Sequence, residues 1–357
     1  MEIKVTRVPA DRMKPKPTDE SKLGFGQLFT DHFFTMQYRT GKGWHDPHIE
    51  PYRALQLDPA AMSLHYGQLI FEGLKAYRGA DGSVYLFRPW ENIRRMNASA
   101  VRLCMPPLDE AFALEALRQL VVMEKDWIPK GLGTSMYIRP TMLATEPALG
   151  VRPANEYLYF VIVGPVGAYY PQGFSPTKIW VEEEYVRAVR GGIGYCKAAG
   201  NYAASLMASQ KAAAQGYTQV LWLDSATRSW VEEGGTMNFL VITESGELVT
   251  PDLNGRILAG ITRMSCIELL RSWGDPVEER DISIDEVLDA ARKGLLEEAF
   301  GTGTAAVISP IGELNYGGEI ITINGGRIGP LSQRLYDTLT GIQWGRIEDT
   351  FGWTQAL

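Results

Sequence analysis

The 357-residue sequence contains three cysteines, Cys104, Cys196 and Cys266, and no C-x-x-C pair. An odd, dispersed set of thiols excludes a disulfide framework and a zinc ribbon and fits a reducing compartment, so a cytoplasmic location is expected. Histidine is equally scarce, with four residues at 32, 45, 48 and 65. His45 and His48 flank an Asp-Pro pair with no cysteine nearby, so they read as structural or surface residues and no metal is expected. No basic run exists and the formal net charge is −7, which argues against a nucleic-acid partner. The longest apolar run, YLYFVIVGPVGAYY at 157–170, is too short for a membrane span and is split by Gly164-Pro165. The opening MEIKVTRVPADRMKPKPTDESK has no apolar stretch and reads as an extended arm rather than a signal peptide.

What remains is the balance of a globular protein, 45% hydrophobic and 22% charged. A single core stops growing at roughly 250–300 residues, so two domains are expected. Short β-branched and aromatic runs (SVYLF, SMYIRP, YLYFVIV, KIWVEE, QVLWLD, NFLVITESGELVT) read as strands. Segments of helical period lie between them, among them PWENIRRMNASAVRLCM, DEAFALEALRQLVVMEKDW, NYAASLMASQKAAAQGY and TRMSCIELLRSWG. The class is mixed α and β. Pro, Gly and Ser cluster in YYPQGFSPT at 169–177. The expected division is a smaller N-terminal α/β domain at 1–170, a linker at 171–178 and a larger C-terminal domain at 179–357.

GTGTAA at 301–306 matches the dinucleotide pattern G-x-G-x-x-A. A genuine fingerprint follows a strand and opens a helix. Here LLEEAF ahead of it has a helical pattern, and AVISPIGELNYGGEIITI after it reads as strand and hairpin, so a nicotinamide enzyme is disfavoured. A Gly/Thr loop with free amides still suits an anion. A second anion candidate is AGITRMSCIELLRSWG, where the first helical amides lack internal partners; the alternative is that Thr262 simply caps that helix.

One lysine, Lys197, stands among small and aromatic residues in RGGIGYCKAAGNYAAS. A desolvated lysine loses proton affinity and becomes nucleophilic. A reactive amine, an anion-binding helix start and the carboxylates of VEEGGTMNFLVI together point to pyridoxal phosphate, whose aldehyde, phosphate and ring nitrogen need those three groups.

These segments, with FGQLFTDHFF, LHYGQLIFEGLKAYRG, LFRPWENIRRMNASA, YIRPTMLATEPALGV, GPVGAYYP, CKAAGNYAAS, QVLWLD, LAGITR and FGTGTAA, resemble the branched-chain amino-acid aminotransferases of fold-type IV. The resemblance runs in family order from about residue 15 to 350. It implies two α/β domains with the cofactor between them, a homodimer, and transamination of leucine, isoleucine and valine with 2-oxoglutarate. By it, Lys197 binds the cofactor aldehyde and moves the substrate proton, Tyr202 meets the phenolic oxygen, and Glu233, with the E-x-G-T spacing to Thr236, pairs with the ring nitrogen. Arg95 and the amides of Ile261 and Thr262 would take the phosphate, and Thr304 also contacts the cofactor. Thr304 and Ala305 belong to the turn that receives the substrate carboxylate. The side-chain pocket would come from Phe25, Phe71, Tyr137 and Tyr169, with Tyr66 and Val151 entering from a second subunit and Arg139 taking a distal carboxylate. The mammalian members' C-x-x-C is absent, its places held by Ala306 and Ser309, and Ala199 and Ala203 stand where glycines are common. Rivals sharing the lysine are a D-amino-acid aminotransferase and an aminodeoxychorismate lyase; a non-catalytic dimeric scaffold is a rival of another class.

Overall fold

A computed structural model describes residues 1–167, 169, 173–243 and 246–357. Parts of the expected linker (171, 172), of GPVGAYYP (168, 170, 171) and of the run 238–250 (244, 245) fall outside the described residues. The chain packs as two compact units, Met1–Pro171 with Cys196–Gly200 and Gly341–Leu357, and Gln172–Tyr195 with Asn201–Thr340. The excursion Cys196–Gly200, which carries Lys197, therefore groups with the first unit, whereas sequence order alone places it in the second.

The first unit is built on β1 (Lys4–Val5), β2 (His32–Arg39), β3 (Gly43–Pro51), β4 (Leu69–Phe71), β5 (Leu74–Arg78), β6 (Val84–Phe87), β7 (Ser135–Ala144) and β8 (Glu156–Val166), with helices α1 (Met62–Tyr66), α2 (Pro89–Arg102) and α3 (Glu110–Met123). Its strands run in the order β1-β3-β2-β8-β7-β5-β6, β4 pairs with β7, and a strand at Thr354–Ala356 adds to β6. All pairs are antiparallel except β1 with β3. Alternating burial along β8 reflects the two-residue period of a strand. Pro89 occupies the first turn of α2, where its fixed φ costs nothing, and Asn92, Ile93, Met96, Ser99 and Ala100 form the buried stripe. Asp109 caps α3 by accepting from the Phe112 N–H at 2.8 Å.

The arm before β2 is tied down along its length. The Thr6 N–H donates to the Ile49 carbonyl, Val8 N–H to His32 Nε2 and Lys14 N–H to Asp31 Oδ1. A Cβ on Gly164 would stand 1.9 Å from the Leu28 carbonyl oxygen, so only glycine lets this segment lie along β8.

The second unit contains β9 (Thr177–Glu182), β10 (Gln219–Leu223), β11 (Val231–Gly234), β12 (Met237–Thr243), β13 (Leu248–Thr250), β14 (Val277–Glu279), β15 (Leu296–Gly303), β16 (Val307–Tyr316) and β17 (Glu319–Thr322). Their order is β11-β10-β9-β16-β15-β12-β13-β14, with β17 on β16 and an additional β11 to β12 pairing. Here β9 pairs in parallel with both β10 and β16. The core gathers Ile179, Val181, Leu221, Phe239 and Val241 from the strands with Val287 and Leu288 of a helix at Ile284–Arg292. On another face Ala208 and Ala212, four apart on helix α5 (Leu206–Ala214), which follows α4 (Ala199–Ala204), pack against Val220 and Trp222. The expected linker ends inside β9, which begins at Thr177.

The segment LLEEAF corrects the helical expectation, because Leu296–Gly303 is strand β15. Glu298 misled the pattern. It is buried, and its carboxylate accepts from the Leu331 and Ser332 N–H groups, both at 2.8 Å, at the start of the helix Pro330–Gln343. GTGTAA thus does follow a strand, but it turns into β16 rather than a helix, so the dinucleotide pattern still fails.

Candidate active site

In the first unit one stripe of α2 organises the polar groups. Asn92 and Arg95 both reach Glu72: Asn92 Nδ2 donates to Oε2 at 2.8 Å, and Arg95 donates from Nε to Oε1 at 2.8 Å and from Nη2 to Oε2 at 2.9 Å. Further along α2, Ser99 Oγ accepts the Lys197 N–H at 3.0 Å, while the Lys197 carbonyl accepts from the Phe71 N–H at 3.0 Å. The lysine backbone is therefore fixed between a helix and strand β4. Burial opposes charge on Glu72, but Arg95 outweighs it with help from Lys197 and Asn92, holding the carboxyl below its ordinary range.

Lys197 Nζ lies 5.2 Å from the centroid of the Phe71 ring, and the Arg139 guanidinium lies 4.7 Å from the same centroid. Arg139 also donates to the Tyr137 hydroxyl at 3.0 Å, and its buried Nε has no hydrogen-bond partner among the described residues. Phe25 meets Tyr137 and Tyr169 edge-on, at 5.0 and 5.1 Å between centroids. A Cβ on Gly73 would stand 2.0 Å from the Tyr137 hydroxyl, so the glycine gives that ring its place. The structure thus brings together Phe25, Phe71, Tyr137, Arg139, Tyr169 and Lys197. Tyr66 and Val151 are exposed, at 40% and 88%.

In the second unit, Glu233 of β11 accepts the Leu258 N–H at 2.7 Å on one oxygen and faces Arg187 Nε at 3.1 Å with the other. Arg187 thus compensates the charge of this buried carboxylate. Helix α6 (the segment Ile261–Trp273) starts at Gly260, an N-cap residue that makes no side-chain cap. Thr262 is therefore inside the first turn and is not the cap, which resolves the alternative raised by the sequence. A Cβ on Gly260 would stand 1.8 Å from Asn238 Oδ1, so a larger residue there would have to displace the Asn238 side chain. Tyr202 lies in the helix Ala199–Ala204, Thr236 is exposed in the turn joining β11 to β12, and Thr304 and Ala305 are half-buried in the turn joining β15 to β16.

Several functional groups escaped the sequence reading. Glu72, Ser99, Arg187 and Arg256 act on residues distant along the chain, so no local spacing marks them. Glu232 lies beside Glu233, and both are buried. The one available signal was the pair itself: strand neighbours face opposite ways, so two buried acids require two separate cations. Burial drives the amine of Lys75, on β5, down to about 7.

Each unit carries groups of the kind pyridoxal phosphate needs: the first has Lys197, its backbone fixed and its amine over the Phe71 ring, and the second has a buried carboxylate facing an arginine and a helix start at a glycine. Residues 69–314 match the family model for amino-transferase class IV. The chain is 56% identical over 342 residues, 96% of either chain, to branched-chain-amino-acid transaminase 1 of Bacillus subtilis (strain 168), and 48% identical over 338 residues, covering 94% and 92%, to the branched-chain-amino-acid aminotransferase of Mycolicibacterium smegmatis. Among solved structures it is similar to the branched-chain amino acid aminotransferase of Escherichia coli, with a TM-score of 0.74 at 27% identity over 91% and 98% of the two chains. The branched-chain aminotransferase of Thermoproteus uzoniensis with norvaline gives a TM-score of 0.73 at 26% identity over 90% and 99%. The chain belongs to the class IV aminotransferases and has their mixed α/β fold. Within that family it is a branched-chain-amino-acid transaminase.

Proposed function

We propose that the enzyme uses pyridoxal 5'-phosphate to transfer the amino group of L-leucine, L-isoleucine or L-valine to 2-oxoglutarate, reversibly and by a ping-pong route, with a branched 2-oxo acid leaving before 2-oxoglutarate enters. The observation that carries the reading is the Phe71 ring, which has Lys197 at 5.2 Å and Arg139 at 4.7 Å from its centroid. An amine for the chemistry and a cation for a carboxylate thereby share one apolar wall. Pyridoxal phosphate supplies the aldehyde that takes up the amino group and the protonated ring that withdraws electrons.

The remaining roles fall to side chains of this chain. Lys197 retains the cofactor at rest and carries the proton to and from the substrate Cα. Glu233, oriented by Arg187, holds the proton on the ring nitrogen. Arg95, oriented by Glu72, takes the phosphate with the amides of Ile261 and Thr262, while Tyr202, Thr236 and Thr304 complete the contacts to the cofactor. Amides of the turn at Thr304 and Ala305 take the substrate α-carboxylate.

Phe25, Phe71, Tyr137 and Tyr169 bury the branched side chain, a contribution of roughly 1.5–3 kcal/mol. Arg139 takes the distal carboxylate of glutamate or 2-oxoglutarate in the same pocket, and its buried Nε without a hydrogen-bond partner supports this. The exposure of Leu64, Tyr66, Leu149 and Val151 supports a homodimer in which Tyr66 and Val151 serve the partner's pocket. The functional domains are 1–170 and 179–357, and the location is cytoplasmic; among the described residues no helix is long and apolar enough to cross a membrane.

The test is turnover of L-leucine, L-isoleucine and L-valine with 2-oxoglutarate, against D-alanine as donor. Absence of activity with all three L-amino acids overturns the reading, and activity confined to D-alanine points to the D-amino-acid class.

A further inference from the structure

Two buried ion pairs lie side by side in the second unit. Arg256 Nε stands 2.5 Å from Glu232 Oε1, and Arg187 Nε stands 3.1 Å from Glu233 Oε2. Main-chain bonds join the pairs. Arg187 donates through Nη2 to the Arg256 carbonyl and through Nη1 to the Gly194 carbonyl at 3.2 Å, and Glu233 accepts from Leu258. The Leu258 carbonyl in turn accepts from Asn238 Nδ2 at 2.9 Å. Residues 256–258 are thus held at three points directly before Gly260 and the first turn of α6.

The two pairs differ in quality. Glu233 has a main-chain donor, whereas among the described residues neither oxygen of Glu232 has a hydrogen-bond partner; the Nε of both Arg187 and Arg256 falls outside hydrogen-bond geometry. Glu232 is 1% exposed, so its charge is supported by attraction without the hydrogen bonds that normally satisfy a buried carboxylate. Burial pushes it up to about 7; Arg256 and then Arg187 oppose that, while Glu233 and Asp224 add to it. When Glu232 is ionised, the four side chains Arg187, Arg256, Glu232 and Glu233 sum to zero. When it is protonated, one positive charge remains beside Glu233.

We infer that Glu232 is a positioning residue that switches the charge behind Glu233 and thereby sets how strongly a proton is held on the cofactor's ring nitrogen. The inference rests on the pyridoxal-phosphate reading above. A positive charge behind Glu233 disfavours a second positive charge on the ring, so acidification through Glu232 weakens the ring's proton and alkalinisation restores it. Because Arg187 holds both Glu233 and the Arg256 carbonyl, the same event acts on the loop that leads into α6.

The test is the visible absorbance of the bound cofactor, titrated from about pH 5.5 to 9 in the holoenzyme, in Glu232→Gln and in Arg256→Met. The parent should show a spectral step near neutrality that Glu232→Gln lacks and Glu232→Asp retains. Arg256→Met removes the nearest opposing charge and should move the step alkaline by about one pH unit or more. A merely structural role for Glu232 would lower the melting temperature and leave the step in place. A parent without the step, or a step unmoved by Glu232→Gln or by Arg256→Met, overturns the inference alone. A parent that takes up no pyridoxal phosphate overturns the cofactor reading itself.

Discussion

Glu72 and Arg95 form a two-point ion pair, with the carboxylate 1% exposed and the guanidinium 11% exposed. Glu72→Gln leaves the arginine without its acceptor charge, and breaking such a pair costs about 3 kcal/mol. Urea unfolding of the apoenzyme should show that loss at neutral pH. Glu72 is held below its ordinary value of 4.5, so its contribution is present above that value and disappears as pH falls through the lower folded one. The difference between parent and variant should therefore shrink below about pH 4; a difference that grows on acidification would contradict the assignment.

Lys197→Ala removes the amine without disturbing the main-chain bonds to Ser99 and Phe71. Turnover with L-leucine should fall by at least about 10³-fold, within the range for loss of a proton-transferring group. Borohydride should fix the cofactor covalently in the parent and not in the variant, as mass spectrometry of the peptide containing residue 197 would reveal.

Arg139→Met keeps the stem over Phe71 and removes the cation. Loss of charge-assisted bonds to a carboxylate costs about 1.5–3 kcal/mol, so KM for 2-oxoglutarate should rise by about 10–100-fold. KM for L-leucine, measured in the same series, should change far less. Equal changes for both substrates would remove Arg139 from the distal-carboxylate role.

Lys75 is buried at 5% exposure, and burial lowers it from 10.5 to about 7. Between those values the unfolded chain holds a proton that the folded chain does not, so folding stability gains from this residue as pH rises. The contribution amounts to a few kcal/mol between pH 7 and about 10. Lys75→Met should flatten the rise, read as the difference in urea midpoints between parent and variant at pH 7 and 9.5.

The groups with local signatures were legible in the sequence. Lys197 and Tyr202 are five residues apart, Glu233 and Thr236 are three apart, and Gly260 to Thr262 announce a helix start. The groups that orient them were not, because Glu72 and Ser99 reach their partners only after strand β4 and helix α2 have packed. The same limit explains LLEEAF. Its Glu298 has the look of an exposed helical acid until the amides of Leu331 and Ser332 are brought to it. The strands in QVLWLD and SMYIRP were easier, since a short, largely apolar run is the mark of a buried strand, and both are buried over most of their length.

The first unit's sheet has residues 4–5 on one margin and 354–356 on the other. Each margin of a sheet is a row of unpaired donors and acceptors that invites other chains. Here the outer row of β6 is covered by residues that a ribosome makes only after the entire second unit, Gln172–Tyr195 and Asn201–Thr340. During synthesis, therefore, β6 is a temporarily open seam. It closes late and across a long sequence separation, the kind of step that slows folding and lengthens exposure to aggregation.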